Sequence, residues 1–295
     1  MKVLGICCGG RPMGNTELMV KHALKVMRAA GATVQLTRLE DWKISQCKGC
    51  FGCIFKDRDC QIEDDLRAFI DLVFEHDRVL VAAPTYVLFP PGGVKVLLDR
   101  IGAIAHTLKR RESRVRYGAV LGLAGVAGWD HFTVPMMSMF LRIVTGYRGE
   151  LTDRVLLHHP GPGEALLCPD SLRRVEALAD RLLRGAPLSL QEAGRGSPEC
   201  PVCGSQSFLI RATQPLSLEC PFCRAAGQHT SEGVLRWDPS SLAHHRWTAE
   251  AGQAFVDEWI LKSSPWYMRH FREIAVAKQD YKDAKLDIRW ERRQA

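Results

Sequence analysis

Short apolar runs alternate with longer stretches in which apolar residues recur every three or four positions. Lys2–Cys7 and Arg78–Ala83 are almost continuously apolar. Runs of that length without alternation predict parallel strands buried on both faces. Tyr117–Ala124 and Leu151–Leu157 read the same way, and Thr33–Leu39 alternates enough to be a fifth strand. After the first strand, Leu18, Met19, Ala23, Leu24, Val26 and Met27 mark one side of a helix that Gly31 stops. Further helices are predicted over Asp64–Phe74, Val94–Ala105, Phe132–Val144 and Ser171–Leu183. The first of these opens on acidic residues that suit its positive end. Five strands alternating with helices predict an α/β fold with a doubly wound parallel sheet. Such a sheet binds ligands beyond the carboxyl ends of its strands, where the strand order reverses.

Three loops fall at that edge: 8–16, 84–93 and 124–130. The first is rich in glycine and runs into a helix, so its backbone N–H groups and the helix N-terminus suit a phosphate. Arg11, Asn15 and Thr16 can add side-chain donors. The loop has neither the GxGxxG spacing nor the Walker lysine. The second loop, with Thr85 and Tyr86, suits the edge and face of a flat heterocycle.

Two sets of cysteines carry the remaining chemistry. Cys47, Cys50, Cys53 and Cys60 stand in the pattern C-x2-C-x2-C-x6-C, and thiolates at that spacing can hold a [4Fe–4S] cluster. A zinc site and a disulfide pair are the alternatives. Cys200 with Cys203 and Cys220 with Cys223 form two CPxC knuckles around a strand-like insert, Phe208–Ile210 and Leu216–Leu218. Closed four-thiolate sites of this kind are typically structural zinc, with mononuclear iron the alternative. So few apolar residues surround the knuckles that the module needs its metal to fold.

Composition narrows the class. A hydrophobic content of 46% and a charged content of 25% are ordinary for a globular chain. The net charge of +7 favours an anionic cofactor but is too small to argue for nucleic acid. No apolar run is long enough to span a membrane, and the first residues run straight into a strand without a signal peptide. Eleven cysteines in such a chain point to metal or redox work in the cytoplasm, not to a disulfide scaffold. The leftover thiols Cys7, Cys8 and Cys168, and the pairs His158–His159 and His244–His245, are read as packing or surface residues.

The expected layout is residues 1–187 as the sheet domain, 188–240 as the metal ribbon behind a linker at 191–198, and 241–295 as a helical tail. Two tail helices are predicted. Thr248–Leu261 carries Phe255, Val256, Trp259 and Ile260. A second helix starts at Ser264 and Pro265 as N-cap and first residue, with Trp266, Tyr267, Met268, Phe271 and Ile274 on it. This aromatic stripe predicts packing against the body or a partner subunit, hence a homodimer or homotetramer. The mixed charges of Lys278–Arg293 predict a solvated helix.

Residues 5–16, GICCGGRPMGNT, resemble the phosphate loop of the flavodoxin-like NADPH-dependent FMN reductase superfamily. Pro84, Thr85 and Tyr86, followed by GVKVLLDR at 93–100, resemble its second flavin loop and helix. The four cysteines at 47–60 with IEDD at 62–65 resemble the iron–sulfur flavoprotein branch. The likeness covers about residues 1–187. It implies FMN bound by Gly9, Arg11, Gly14, Asn15, Thr16, Pro84, Thr85, Tyr86, Val87, Leu88 and Gly125, next to a [4Fe–4S] cluster. Here Cys7 and Gly9 replace the usual small hydroxyl residues and Gly10 the usual proline, so the phosphate depends more on backbone amides, Arg11, Asn15 and Thr16. The implied activity is an FMN-dependent oxidoreductase that passes electrons from NAD(P)H or a ferredoxin-like donor to a small-molecule or protein acceptor. Relatives of this type bring the cluster of one subunit toward the flavin of another. Two alternatives stand beside it: a simple NAD(P)H:FMN reductase without a cluster, and a redox-responsive binding protein that uses the ribbon. The ribbon offers Arg211 and Arg224 but no dense basic-aromatic patch, which argues against nucleic acid.

Overall fold

A computed structural model of the chain describes residues 1–56, 58–109, 116–147, 149–190, 199–232 and 234–283. The sheet strands are β1 (Lys2–Cys7), β2 (Thr33–Arg38), β3 (Arg78–Pro84), β4 (Arg116–Ala124) and β5 (Gly149–His158). All pair in parallel in the order β2-β1-β3-β4-β5, the doubly wound arrangement whose switch point lies between β1 and β3. Cys7 lies opposite Arg38 on one side and Ala82 on the other, so three strands end at a common edge. The strand interiors follow from position. β1, β3 and β4 are buried nearly throughout, because helices cover both of their faces. β2, at the edge, is only partly covered and keeps its polar alternation.

The connecting helices are α1 (Asn15–Ala29), the short α2 (Gly52–Phe55), α3 (Leu66–Phe74), α4 (Gly92–Leu98), α5 (Ile101–Lys109), α6 (Thr133–Val144) and α7 (Pro169–Arg184). Residues of α1 and α7 build the core on one face of the sheet, and those of α3 to α6 build the other. At Gly118 a side chain would put its Cβ 2.5 Å from Leu141 of α6, which is fully buried. Gly118→Val should therefore overpack this face and cost about 1–3 kcal/mol, read as a lower urea midpoint. The single helix expected over Val94–Ala105 is instead α4 and α5, broken at Asp99–Arg100. The break turns the Arg100 side chain inward, where it is fully buried.

Behind α7 the chain crosses back over β5, where the Leu188 N–H donates to the Leu151 carbonyl at 2.6 Å. A second, antiparallel sheet follows: β6 (Leu209–Thr213), β7 (Leu216–Glu219), β8 (Ala226–His229) and β9 (Leu235–Trp237). The two later strands exceed the two-stranded ribbon expected, and Trp237 of β9 packs its ring against Phe208 at 5.6 Å. After them come α8 (Pro239–Ala243) and α9 (Ala249–Ala254).

Met1–Ala251 form one compact unit and Gly252–Ala295 a second. The second holds a π-helical stretch, Phe255–Leu261, and α10 (Lys262–Asp283). The expected helix start at Ser264 is not observed. Pro265 lies inside α10, which continues without a break from the π-helical stretch before it. Phe255, Trp266, Tyr267, Met268 and Phe271 are exposed. The linker 191–198, the charged end beyond Asp283 and the side chains of Val256, Trp259 and Ile260 lie outside the described residues. Among the described residues no helix is long and apolar enough to cross a membrane.

Candidate functional site

The loop after β1 leads straight into the N-terminus of α1, which Gly14 caps without a side-chain hydrogen bond. The N–H groups of Gly10, Arg11, Asn15 and Thr16 find no protein acceptor among the described residues. Four free donors around a helix N-terminus make a cradle for an anion. Gly9 keeps the loop close to its neighbours, since a Cβ there would stand 3.4 Å from both Pro84 and Thr16. The Arg11 side chain is exposed and able to fold over the cradle.

Asn15 is used differently from the sequence expectation. Its Nδ2 donates to the carbonyls of His159 and Gly161 at 3.1 and 2.8 Å, and its Oδ1 accepts from the Gly163 N–H at 2.8 Å. The carboxamide thus ties α1 to the loop after β5, and only the backbone N–H of Asn15 is left for an anion. Glu17 in the first turn accepts from the Met13 N–H at 3.1 Å and pairs with Lys21 at 2.5 Å. The Lys21 hydrogen bond, against the opposing effect of burial, holds its carboxyl below the usual range.

The second loop is fixed by Thr85, whose N–H donates to the Leu123 carbonyl at 2.7 Å and whose hydroxyl meets that of Thr133 at 2.7 Å. Tyr86 and Phe89 then bond each other across a two-residue turn. Val87 and Leu88 at its tip take φ of 49° and 73°. Non-glycine residues pay about 1–3 kcal/mol each for that conformation, and it concentrates at ligand clamps. Tyr86 is 53% and Val87 77% exposed, although neither is a polar side chain of the surface kind. At Gly125, in the third loop, a Cβ would meet nothing closer than Pro160 at 3.9 Å. Protein packing therefore does not fill the space beside that glycine.

Sequence reasoning set His158 aside, yet it ends β5 at this edge with its Nε2 2.5 Å from Asp130 of the third loop. No spacing signal links residues that far apart in the chain. The exposed Trp129 stands next to this pair in sequence. Cys7 and Cys8 are buried, and burial pushes both thiols up, which fits packing residues.

The cysteine loop leaves β2 and returns to α3. Cys47 and Cys50 are exposed, and Cys53 and Cys60 are half-buried. Burial first, and then the neighbouring Cys60, Cys47 and Cys50, push the Cys53 thiol up, so each of the three is within electrostatic reach of Cys53. They are not drawn into one tight group as the second set is. A single ion with bonds of about 2.3 Å pulls its sulfurs together, whereas a multinuclear cluster holds them apart.

The second set is closed. Cys200, Cys203, Cys220 and Cys223 are all buried, with their sulfurs within 4.8 Å of one another. Cys200 and Cys223 stand 3.3 Å apart, and Cys203 and Cys220 3.5 Å, the scale of tetrahedral thiolates on one ion. The knuckles match: the Gly204 N–H reaches the Cys200 carbonyl and the Arg224 N–H the Cys220 carbonyl, each with left-handed φ. Crowding with its three neighbours pushes the Cys203 thiol far up, a conflict that a bound cation removes. His245, one of the set-aside histidines, is buried and pushed down to about 4 by burial and then Arg142, so it is neutral.

This module docks on the sheet domain beside the loops. Ser138 Oγ donates to the Cys203 carbonyl at 3.2 Å, and Arg154 donates to those of Pro201 and Cys200 at 2.8 and 3.2 Å. Phe222, inside the second knuckle, meets Phe132 at 5.8 Å, and Phe132 stacks on Phe89 of the second loop at 4.8 Å. The Phe132 N–H also donates to the Leu88 carbonyl at 3.1 Å.

Residues 1–145 match the NADPH-dependent FMN reductase family. An iron-sulfur flavoprotein of Archaeoglobus fulgidus is 34% identical over 128 residues, 43% of this chain and 56% of that protein. The chain thus spans little more than half the length of that relative. Flavone synthase cfoJ of Aspergillus candidus is 26% identical over 260 residues, 77% of this chain and 78% of its own. Among solved structures, a flavone reductase shares the fold with a TM-score of 0.70 at 17% identity, covering 99% of this chain and 100% of that one. Residues 1–145 thus match the NADPH-dependent FMN reductase family model, and a buried four-cysteine group lies C-terminal to them.

Proposed function

We propose that the chain is an FMN-dependent oxidoreductase that also holds a [4Fe–4S] cluster on Cys47, Cys50, Cys53 and Cys60 and a zinc ion on Cys200, Cys203, Cys220 and Cys223. The observation that carries the flavin assignment is the set of acceptor-free N–H groups at Gly10, Arg11, Asn15 and Thr16, together with the space that protein packing leaves unfilled at Gly125. FMN exchanges a hydride or single electrons and an iron–sulfur cluster single electrons, so the pair converts between the two regimes. The chain's own part is positional. The cradle holds the phosphate, Thr85 and Thr133 set the hairpin, Tyr86 presents a face to the ring, and Val87 and Leu88 present their backbone amides. The electrons come from NAD(P)H or a ferredoxin-like donor.

Arg11→Ala combined with Thr16→Ala should weaken FMN binding by about tenfold to a hundredfold, because each charge-assisted or buried donor is worth on the order of 1–2 kcal/mol. Titration of apoprotein with FMN by fluorescence quenching checks this. Unchanged affinity would remove the phosphate assignment.

A flat aromatic molecule is the acceptor we favour. Tyr86, Phe89 and Trp129 are all exposed at the ligand edge, and a relative matching most of the chain is named a flavone synthase. Anaerobic mixing of reduced protein with flavones and quinones, followed by flavin reoxidation, tests it. Rates no faster than for an aliphatic enone would set it aside.

We also propose a homodimer or homotetramer, with the exposed Trp266, Tyr267, Met268 and Phe271 as its contact, working in the cytoplasm where thiols stay reduced. A chain ending at Ala251 should sediment as a smaller species than the full one. Identical oligomers from both would exclude the tail as the contact.

A further inference from the structure

Arg100 lies in the turn between α4 and α5, with its side chain only 1% exposed. Its Nη1 donates to Asp64 Oδ2 at 2.5 Å and to the Ser45 carbonyl at 2.8 Å. Its Nη2 donates to Cys60 Sγ at 3.4 Å and to Asp64 Oδ1 at 3.4 Å. Asp64 is itself buried and also accepts from the N–H groups of Ser45 and Leu66 at 2.9 and 3.2 Å. A buried guanidinium is costly unless it is paired, and here both Nη nitrogens are paired while Nε is left without a partner. The planar fork bridges a carboxylate and a cysteine sulfur through two separate nitrogens, where a lysine has a single one on a shorter reach.

We propose that Arg100 is a positioning residue for the iron–sulfur centre: its Nη2–H holds the Cys60 sulfur and raises the reduction potential of the centre, while the Asp64 carboxylate opposes it. The role rests on the cluster assignment above. Reduction adds one negative charge to the centre, and a donor on a ligating sulfur stabilises the reduced form more than the oxidised one. Burial keeps the effect from being screened by salt. Cys60 is the ligand set apart by the longest spacing, so it is the one whose sulfur needs a fixed partner. Asp64 directs the guanidinium and also limits its charge, so the two residues act with opposite signs on one sulfur.

The test is an EPR-monitored redox titration of the full-length protein, reconstituted anaerobically with iron and sulfide, as wild type, Arg100→Lys and Asp64→Asn. Lysine keeps the charge and its pairing with Asp64 but loses the bond to sulfur. The reduced-to-oxidised ratio at a fixed potential should then fall about tenfold, about 59 mV for a one-electron couple. Asparagine leaves Arg100 unopposed, and the ratio should rise. Opposite shifts support the role. Equal potentials, or shifts of the same sign in both variants, mean that the pair only braces the loop, and they overturn the role while leaving the cluster in place. Wild-type protein that takes up no iron or labile sulfide overturns the cluster assignment, and this role falls with it.

Discussion

Replacing Cys203 with serine is expected to strip the metal from the knuckle pair and unfold the module around it. Seven residues make up its buried core, Cys200, Val202, Cys203, Cys220, Cys223, Ala225 and Leu242, and four of them are the cysteines themselves. β6 is exposed along its whole length. Area burial cannot hold such a module. Structural zinc contributes on the order of 10 kcal/mol or more in comparable sites, so losing one thiolate should outweigh every other contact there. The expected result is loss of bound zinc and rapid proteolysis within residues 199–247, with the sheet domain still folded by circular dichroism. A module that stays protease-resistant without metal would overturn this.

The same substitution reaches the flavin edge. Phe222 loses its backing, and with it Phe132 and Phe89 lose a packing partner. An aromatic contact of this kind is worth about 0.5–1.5 kcal/mol, so FMN should bind up to about tenfold more weakly. Phe222→Ala separates the two effects, since it keeps the metal and should reproduce only the weaker FMN binding. If FMN affinity is the same in both variants as in wild type, the hairpin stands without the ribbon.

Cys53→Ser should remove the broad visible absorbance of the iron–sulfur centre and take iron and labile sulfide from about four per chain to background. Cys53 is half-buried, with its sulfur close to Gly102. A serine there cannot be replaced by a mobile neighbour, whereas Cys47 and Cys50 lie exposed. Any metal held by the second cysteine set should be unaffected, because Cys200, Cys203, Cys220 and Cys223 form a closed group of their own. FMN should stay bound, and electron delivery from reduced flavin to a one-electron acceptor should slow. Wild-type protein with two zinc ions per chain and no sulfide would show instead that the cysteine loop is a second zinc site.

Much of this was legible in one dimension, for local reasons. Central strands covered on both faces must be apolar at nearly every position, so Lys2–Cys7, Arg78–Ala83 and Tyr117–Ala124 could be placed within a residue or two of β1, β3 and β4. The glycine loop and both cysteine sets are spacing signals, and spacing survives folding. Helix ends were less secure where a neighbour decided them. The break at Arg100 depends on Asp64 lying where the guanidinium can reach it, and Pro265 falls inside α10 because the chain enters it from a π-helical stretch and not from a loop.

The sequence by itself determined the sheet class, the loop at which an anion can sit and the two four-thiolate sets, because each is written in consecutive or closely spaced residues. Only the tertiary structure decided how those parts are used. Asn15 reads locally as a phosphate donor, but backbone groups of the 159–165 loop take its carboxamide. His158 meets Asp130, and Arg100 joins Asp64 to Cys60, across 28 to 40 residues of chain. Phe222 of the metal knuckle comes to rest against Phe132, beside the strained Val87–Leu88 turn. In each case the partner is set by which strands and helices pack together. A buried polar group takes whatever donor or acceptor the fold brings within about 3 Å, and sequence distance carries no trace of that choice.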